Sequence, residues 1–379
     1  MATRFGKVRF GRCYHHCAAC RRGIVPRDQA LGIAGESYSP GLLRVIALCN
    51  AELSARRASD LIFESLRIPV GPSQVGRKAK LVGERIQEWE KSETAPLGAD
   101  ASVSGAAVDG TGIPVRKQEV ADRAGKQEDG SAKTREVKAA AFFNLGPPDK
   151  KTGNAQRDPG SAAAAAAIES AAARDADKEP SPFAQRLARE AERRGYGRSG
   201  PQFALGDGGA WIWNTVGELF PGAIQILDLY HVLERLSDVA KAVHGRGEMA
   251  EALAKRWRGM AEPGRLQPVV NELKSHAPRH AIAGETATYF ENNRSRMDYP
   301  RYRAAGLPVG SGAVEGACRS VVCERLKKSG MFWSVKGANK ILALRCAVES
   351  NTFDDFREYW AEKKKRPEEQ NWFTPPAQE

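Results

Sequence analysis

Residues 104–117 read SGAAVDGTGIPVRK, a small apolar run that closes on Asp109 and then meets Gly110 and Gly112. The spacing predicts a strand, a tight glycine turn and a second strand. TREVKAAAFFNLG (134–146) predicts a further strand with a charged start, and FALGDGG (203–209) repeats the opening pattern, a short apolar strand ending on Asp207. Between and after these lie two helical segments. PFAQRLAREAERRG (182–195) is amphipathic and stops at Gly195, and AWIWNTVGELFPG (210–222) follows the second aspartate. AIQILDLYH (223–231) reads as a buried strand. Residues 147–182 read as loop and low complexity, with the alanine run 162–167 expected to be helical.

The resulting order, β-β-β-α-β-α-β, predicts an α/β fold with a mixed sheet. An antiparallel meander comes first, then parallel strands crossed by helices. In that arrangement the first and fourth strands are neighbours, so Asp109 and Asp207 converge. Residues 232–300 show helical patterns only and read as an all-helical insertion. Segments 312–350 and 352–364 read as further helices, and the charged, proline-containing end as a disordered tail.

The N-terminal region has a different character. Of the net charge of +12, residues 1–80 carry +9, from 14 Lys/Arg against 5 Asp/Glu. A basic end of this kind is an electrostatic footprint for nucleic acid. Helical patterns cover 41–50, 54–66 and 72–90, with Ser54 and Ser73 where N-caps would stand. A short break, Arg67 to Gly71, separates the last two, and Arg77, Lys78 and Lys80 make the second helix basic. That suits a helix-turn-helix, and equally a plain helical bundle. CYHHCAACRR (13–22) places Cys17 and Cys20 at zinc-knuckle spacing, with Cys13 and His16 beside them. Cys49 stands alone in an apolar run, so a second ligand pair is missing and a turn with reduced thiols is the competing reading. SETAPLGADAS (92–102) reads as a linker. The odd count of seven cysteines argues against a disulfide scaffold. With no membrane-length apolar run and no apolar leader, the expected location is cytoplasmic.

GLPVGSGAVEGACRS (306–320) crowds Gly310, Gly312 and Gly316 around Glu315. Its G-x-G-x-x-x-G spacing is one residue off the dinucleotide fingerprint, and the preceding basic, Pro308-broken segment makes a poor strand. Ser311 reads instead as a helix cap, with Glu315 in the first turn. Clustered carboxylates repel one another unless a cation sits between them. Asp109, Asp207 and Glu315 therefore point to hard divalent cations, Mg²⁺ or Mn²⁺, and to two-metal phosphodiester chemistry. For Glu315 the plainer alternative is an i,i+4 pair with Arg319.

Together VDGTG, GDGGAWIW, DLYHVLERL and GLPVGSGAVEG…RLKKSGMFWS resemble the DDE transposases of bacterial insertion sequences, in the ISKra-type branch related to the Mutator-like group. The likeness runs from about residue 12 to about residue 360. It implies an RNase H-like catalytic domain with a helical insertion before the last acidic residue. It also implies that Asp109, Asp207 and Glu315 are the catalytic, metal-binding carboxylates, that Asp228 and His231 form a D-x-x-H element with His231 near the site, and that Cys17 and Cys20 belong to a zinc knuckle. The expected domains are a DNA-binding region at 1–95, core segments at 103–231 and 306–365 flanking the insertion at 232–305, and the tail at 366–379. The implied partners are the element's double-stranded ends and target DNA, bound by a homodimer or larger oligomer. Arg319, Arg325, Lys327 and Lys328 are expected to meet phosphates, and Trp333 to stack on a base. For Trp333 core packing is the alternative.

Overall fold

The computed structural model describes residues 1–21, 23–31, 33–92, 104–121, 133–150, 155–171, 180–198, 202–310 and 312–365. They divide into two compact units, one drawn from 1–94, 113–135 and 321–379, the other from 95–112 and 136–320. This division cuts the chain differently from the expected domains, because the last helices group with the N-terminal ones. The expected linker at 92–102, apart from Ser92, the tail at 366–379 and the cap at Ser311 lie outside the described residues.

After two short β pairs and a single helical turn at Pro26–Ala30, the first unit has helices α1 (Pro40–Glu52), α2 (Ala55–Leu66) and α3 (Pro72–Lys91), close to the three expected helices. Leu42 and Ile46 of α1, Ala58 and Ile62 of α2, Ile68 and Val70 of the intervening turn, and Val75 of α3 share one buried cluster. Ser39 and Ser54 cap α1 and α2 by accepting from Leu42 N and Arg57 N. Ser73 does not cap α3. Pro72 takes the first helical position behind Gly71, which leaves Ser73 inside the first turn.

The second unit is built on a five-stranded mixed sheet. Its strands are β1 (Gly105–Pro114), β2 (Thr134–Phe143), β3 (Ala163–Ala167), β4 (Phe203–Gly206) and β5 (Ile224–Leu227). Their spatial order is β5-β4-β1-β2-β3. β4 runs parallel to both β1 and β5, and β3 runs antiparallel to β2. The mixed sheet and the β1–β4 neighbourhood agree with the sequence reading, and the arrangement is compatible with an RNase H-like core.

Two expectations about the strands are corrected. The stretch 104–117 is not a strand, turn and strand, because β1 runs without interruption for ten residues. Gly110 serves the neighbouring strand instead: a Cβ there would lie 2.4 Å from Glu136 Oε1 of β2. The alanine run is not helical either. Asn144 N donates to Ser161 Oγ at 2.7 Å, and Asp158 N donates to Asn144 O at 2.8 Å. These bonds turn the chain back so that Ala163 pairs with Phe142 and Ala167 with Lys138. Burial against the sheet outweighs alanine's helix preference, which is a weak prior beside tertiary context.

Helices α4 (Pro182–Arg193) and α5 (Ala210–Leu219) flank the sheet strands in sequence. After β5 the chain is helical, in α6 (Leu229–His244), α7 (Glu248–Ala261), α8 (Leu266–His276), α9 (Ala281–Asn292) and α10 (Tyr299–Ala304). Polar contacts tie this stretch back to the sheet region. Trp213 Nε1 donates to Asn293 Oδ1 at 2.8 Å, and Arg296 Nε donates to Gln225 Oε1 at 2.7 Å. The next helix, α11 (Gly312–Ala317), continues into a π-helical stretch at Cys318–Cys323. Helices α12 (Val335–Glu349) and α13 (Phe353–Lys365) then join the first unit. There α12 packs so closely on α3 that a Cβ at Gly83 would lie 1.8 Å from the Lys340 carbonyl oxygen.

Candidate active site

Strand register places the acidic residues. Val108 of β1 pairs with Gly206 of β4, and Gly206 pairs with Leu227 of β5. The residue that follows each of these in the chain is an aspartate: Asp109, Asp207 and Asp228. Adjacent strands lie about 4.8 Å apart, so the three follow one another across the sheet at roughly that spacing. Sites in parallel sheets form at these carboxyl ends.

Each aspartate is held differently. Asp109 accepts from Gly110 N at 2.6 Å, and Cys318 Sγ donates to its Oδ2 at 3.7 Å. Burial pushes the Asp109 carboxyl above the usual carboxylate range; the Asp207 charge adds to this, while Gly110, His231 and Cys318 oppose it. Asp207 closes β4 and accepts from Gly209 N at 2.9 Å across Gly208, whose φ is +92°. Asp228 is fully buried and caps α6, accepting from Tyr230 N at 2.6 Å and His231 N at 3.4 Å.

His231 stands in the first turn of α6, with Nδ1 3.4 Å from Asp228 Oδ2. The pair is close enough for strong charge attraction, but its alignment is poor, and the buried Nδ1 has no hydrogen-bond partner. Contact with the Asp228 carboxylate raises the imidazole to about 9, against the opposing effect of burial and with help from Asp109 and Asp207.

Glu315 reaches this group through the strap before its helix. Leu229 N donates to Val309 O at 2.8 Å, and Gly310 lies against the Tyr230 ring, where a Cβ would come within 2.4 Å. The exposed Glu315 lies in the first turn of α11. Ligand atoms of Asp228, His231 and Glu315 all lie within 4.8 Å of one another. Glu315 thus meets the D-x-x-H pair, and the aspartates of β1 and β4 are linked to that pair through His231's electrostatics.

Three neighbours were not anticipated. Cys318 follows Glu315 by one helical turn, a spacing that could have flagged it. Glu136 lies over Gly110 from β2 and pairs with Lys138 at 3.0 Å. Tyr289, far away in sequence, donates to the Asp207 backbone oxygen at 2.5 Å, and no local pattern announces it.

The expected zinc ligands are not gathered. Among the described residues, Cys13, His16, Cys17 and Cys20 do not belong to any group of three or more metal-capable side chains with converging ligand atoms. Cys13 and Cys17 are exposed, and hydrogen bonds from Cys20 and Ala19 lower the Cys17 thiol.

The expected phosphate contacts divide. Arg77 and Lys327 are exposed, as is Arg319 in the other unit. Lys78 is paired with Glu36 at 3.0 Å. Burial lowers Lys80, and the charges of Arg116, Arg325 and Lys340 lower it further. Lys328 donates to Glu52 O at 3.1 Å while remaining exposed. Arg325 requires correction: it is 3% exposed, donates to Asn50 O at 2.9 Å and stacks on Trp333 at 5.1 Å. Trp333 is also clasped, donating from its ring to Leu326 O at 3.0 Å and bonding through its backbone to Pro114 and Arg116. Both side chains build the first unit's interior contacts.

No protein-family model matches the chain, and no curated protein matches it. Among solved structures it is similar to a chain of the Drosophila P element transposase strand transfer complex. That match has 10% identity and a TM-score of 0.29, covering 90% of this chain and 84% of the other.

Proposed function

We propose that this chain is a DDE-type insertion-sequence transposase, which cuts DNA at the element's ends and joins the freed 3′-hydroxyl to target DNA. The observation that supports this reading is the register-aligned row Asp109–Asp207–Asp228, with Glu315 brought to its β5 end. The N-terminal basic region would bind the element's ends, and the exposed Arg77 lies within it. A homodimer or larger assembly would bring two ends together.

The residues fit a hard divalent cation. The donors are carboxylate oxygens, and Asp109 carries a burial and repulsion cost that a positive charge would relieve. Asp109, Asp207 and Glu315 would hold magnesium or manganese; in the structure it is Asp228 and His231, not Asp109 and Asp207, whose ligand atoms converge with those of Glu315. Such ions, when bound, supply Lewis-acid activation of an attacking oxygen and stabilise a leaving one. The chain's own residues set the geometry. Backbone N–H groups of Gly110 and Gly209 each hold one carboxylate oxygen, which fixes the orientation of Asp109 and Asp207. His231, whose imidazole the Asp228 carboxylate raises, would place positive charge beside the phosphate being cut. Asp228, buried beneath it, caps the helix that carries the ring.

The test uses purified full-length protein, DNA carrying the sequences that flank its gene, a target plasmid, and Mg²⁺ or Mn²⁺. Wild type should cut and join, and Asp109→Asn, Asp207→Asn and Glu315→Gln should each lose at least about a thousandfold in both steps. Activity that survives all three substitutions would overturn the site. Cutting without joining would make the protein an RNase H-like nuclease, and end binding without cutting an inactive remnant of an element.

A further inference from the structure

Asp207 is held from two directions. Its own Oδ1 accepts from Gly209 N at 2.9 Å, a local turn that any Asp-Gly-Gly sequence could form. Its backbone carbonyl accepts from Tyr289 Oη at 2.5 Å, across 82 residues of chain. That second bond comes from α9, inside the all-helical stretch, and the ring that carries it is itself fixed on two sides. Gly208 lies against one part of the ring, where a Cβ would stand 2.4 Å from Tyr289 Cε2. The Arg235 guanidinium, from α6, lies 4.0 Å from the ring centroid.

Gly208 therefore meets two requirements at once. Its φ of +92° is a conformation that side-chain-bearing residues avoid, and its bare Cα makes room for the phenol. A tyrosine clamped between an arginine and a glycine, with its hydroxyl on the carbonyl of a candidate metal ligand, is more than filler for the helical stretch.

We infer that Tyr289 is a positioning residue, through which the helical stretch 229–304 fixes the Asp207 turn for ligand binding. This rests on the proposed function in naming Asp207 as a metal ligand; the clamp itself does not depend on that role. The hydroxyl removes one rotational freedom of the turn by holding its carbonyl, and the Gly209 amide then sets the carboxylate. Partners of this kind behind a ligand typically change metal affinity about 10- to 100-fold when removed.

Tyr289→Phe deletes the hydroxyl and keeps the ring, and Arg235→Met loosens the ring while leaving the hydroxyl. The first measurement is hydrogen exchange in metal-free protein, followed on peptides covering residues 203–213. Tyr289→Phe should speed exchange around Gly208 and Gly209 about fivefold, the equivalent of one hydrogen bond, with other peptides unchanged. Arg235→Met should act in the same direction and less strongly. The second measurement is Mn²⁺ binding by calorimetry, where Tyr289→Phe should weaken binding about tenfold with little change in melting temperature. Unchanged exchange in Tyr289→Phe, or Mn²⁺ affinity equal to that of wild type, overturns the inference. If wild type itself binds no Mn²⁺, the metal site and Tyr289's part in ligand binding fall together. Locally faster exchange in Tyr289→Phe would then leave the clamp standing as a property of the fold alone.

Discussion

Two buried charged sites, one in each unit, are met in opposite ways. In the first, Arg345 is fully buried, with Nε on Val321 O at 2.9 Å, a terminal nitrogen on Ala51 O at 2.5 Å, and Glu52 and Glu349 at 2.9 and 3.4 Å. Arg325 is buried against Asn50 O and the Trp333 ring. In the second unit, Asp109 sits beside another carboxylate on the neighbouring strand, and its acidity is pushed in the unfavourable direction. The arginines' charge is met by carbonyls and carboxylates, as buried structural charge must be. The aspartates' charge is met only in part. Burial alone therefore does not separate scaffold from site; the completeness of the partner set does.

That contrast can be broken most forcefully at Arg345. Arg345→Met strands two backbone carbonyls and should cost about 4 kcal/mol in urea unfolding. A loss under about 1 kcal/mol would mean that the arginine's partners are not the reason for its burial. A smaller effect is expected at His231. Its folded value of about 9 lies above the ordinary 6.5, so its contribution is complete below pH 6.5 and is lost as pH rises through 9. Wild type should lose about 2 kcal/mol over that window, less than the full shift implies because the ring is partly exposed, and His231→Gln should flatten the profile. Smallest is the effect of Asp109→Asn on the metal-free fold. Because the folded value of Asp109 is raised, its ionised form costs stability above the ordinary carboxylate range. Asp109→Asn should raise stability at pH 7 in chelator, and the gain should fade in acid. A melting temperature that falls instead would remove the idea of an under-compensated carboxylate.

Much of the sheet was legible because its strands carry local marks. FALGDGG and AIQILDLYH show apolar runs closing on polar residues, and the order of elements made β1 and β4 neighbours. The alanine strand was not legible, since five alanines carry no strand signal and only pairing with β2 makes them one. The turn expected at Gly110 failed for a related reason: its glycine answers Glu136 on the next strand, and cross-strand demands are invisible along one stretch of chain. Asp109, Asp207 and Glu315 stood out by residue type and setting. That Glu315 would meet Asp228 and His231 depends on the Leu229–Val309 backbone bond, a pairing across 80 residues. Arg325 looked like a phosphate ligand because RLKKSGMFW is basic and aromatic, and nothing in that pattern says which cation turns inward.

The aspartate row has a consequence for how the chain can vary. Spacing along it is set by backbone pairing at Val108, Gly206 and Leu227, which acts as a ruler independent of whatever joins the strands. Flexible connections between the strands can lengthen or shorten without altering that interval, at a loop-closure cost that grows only logarithmically. A shift of pairing by two residues, by contrast, would move one carboxylate along its strand by about 6.6 Å and out of line. The sheet therefore tolerates changes of length between the acidic residues, and resists changes of phase.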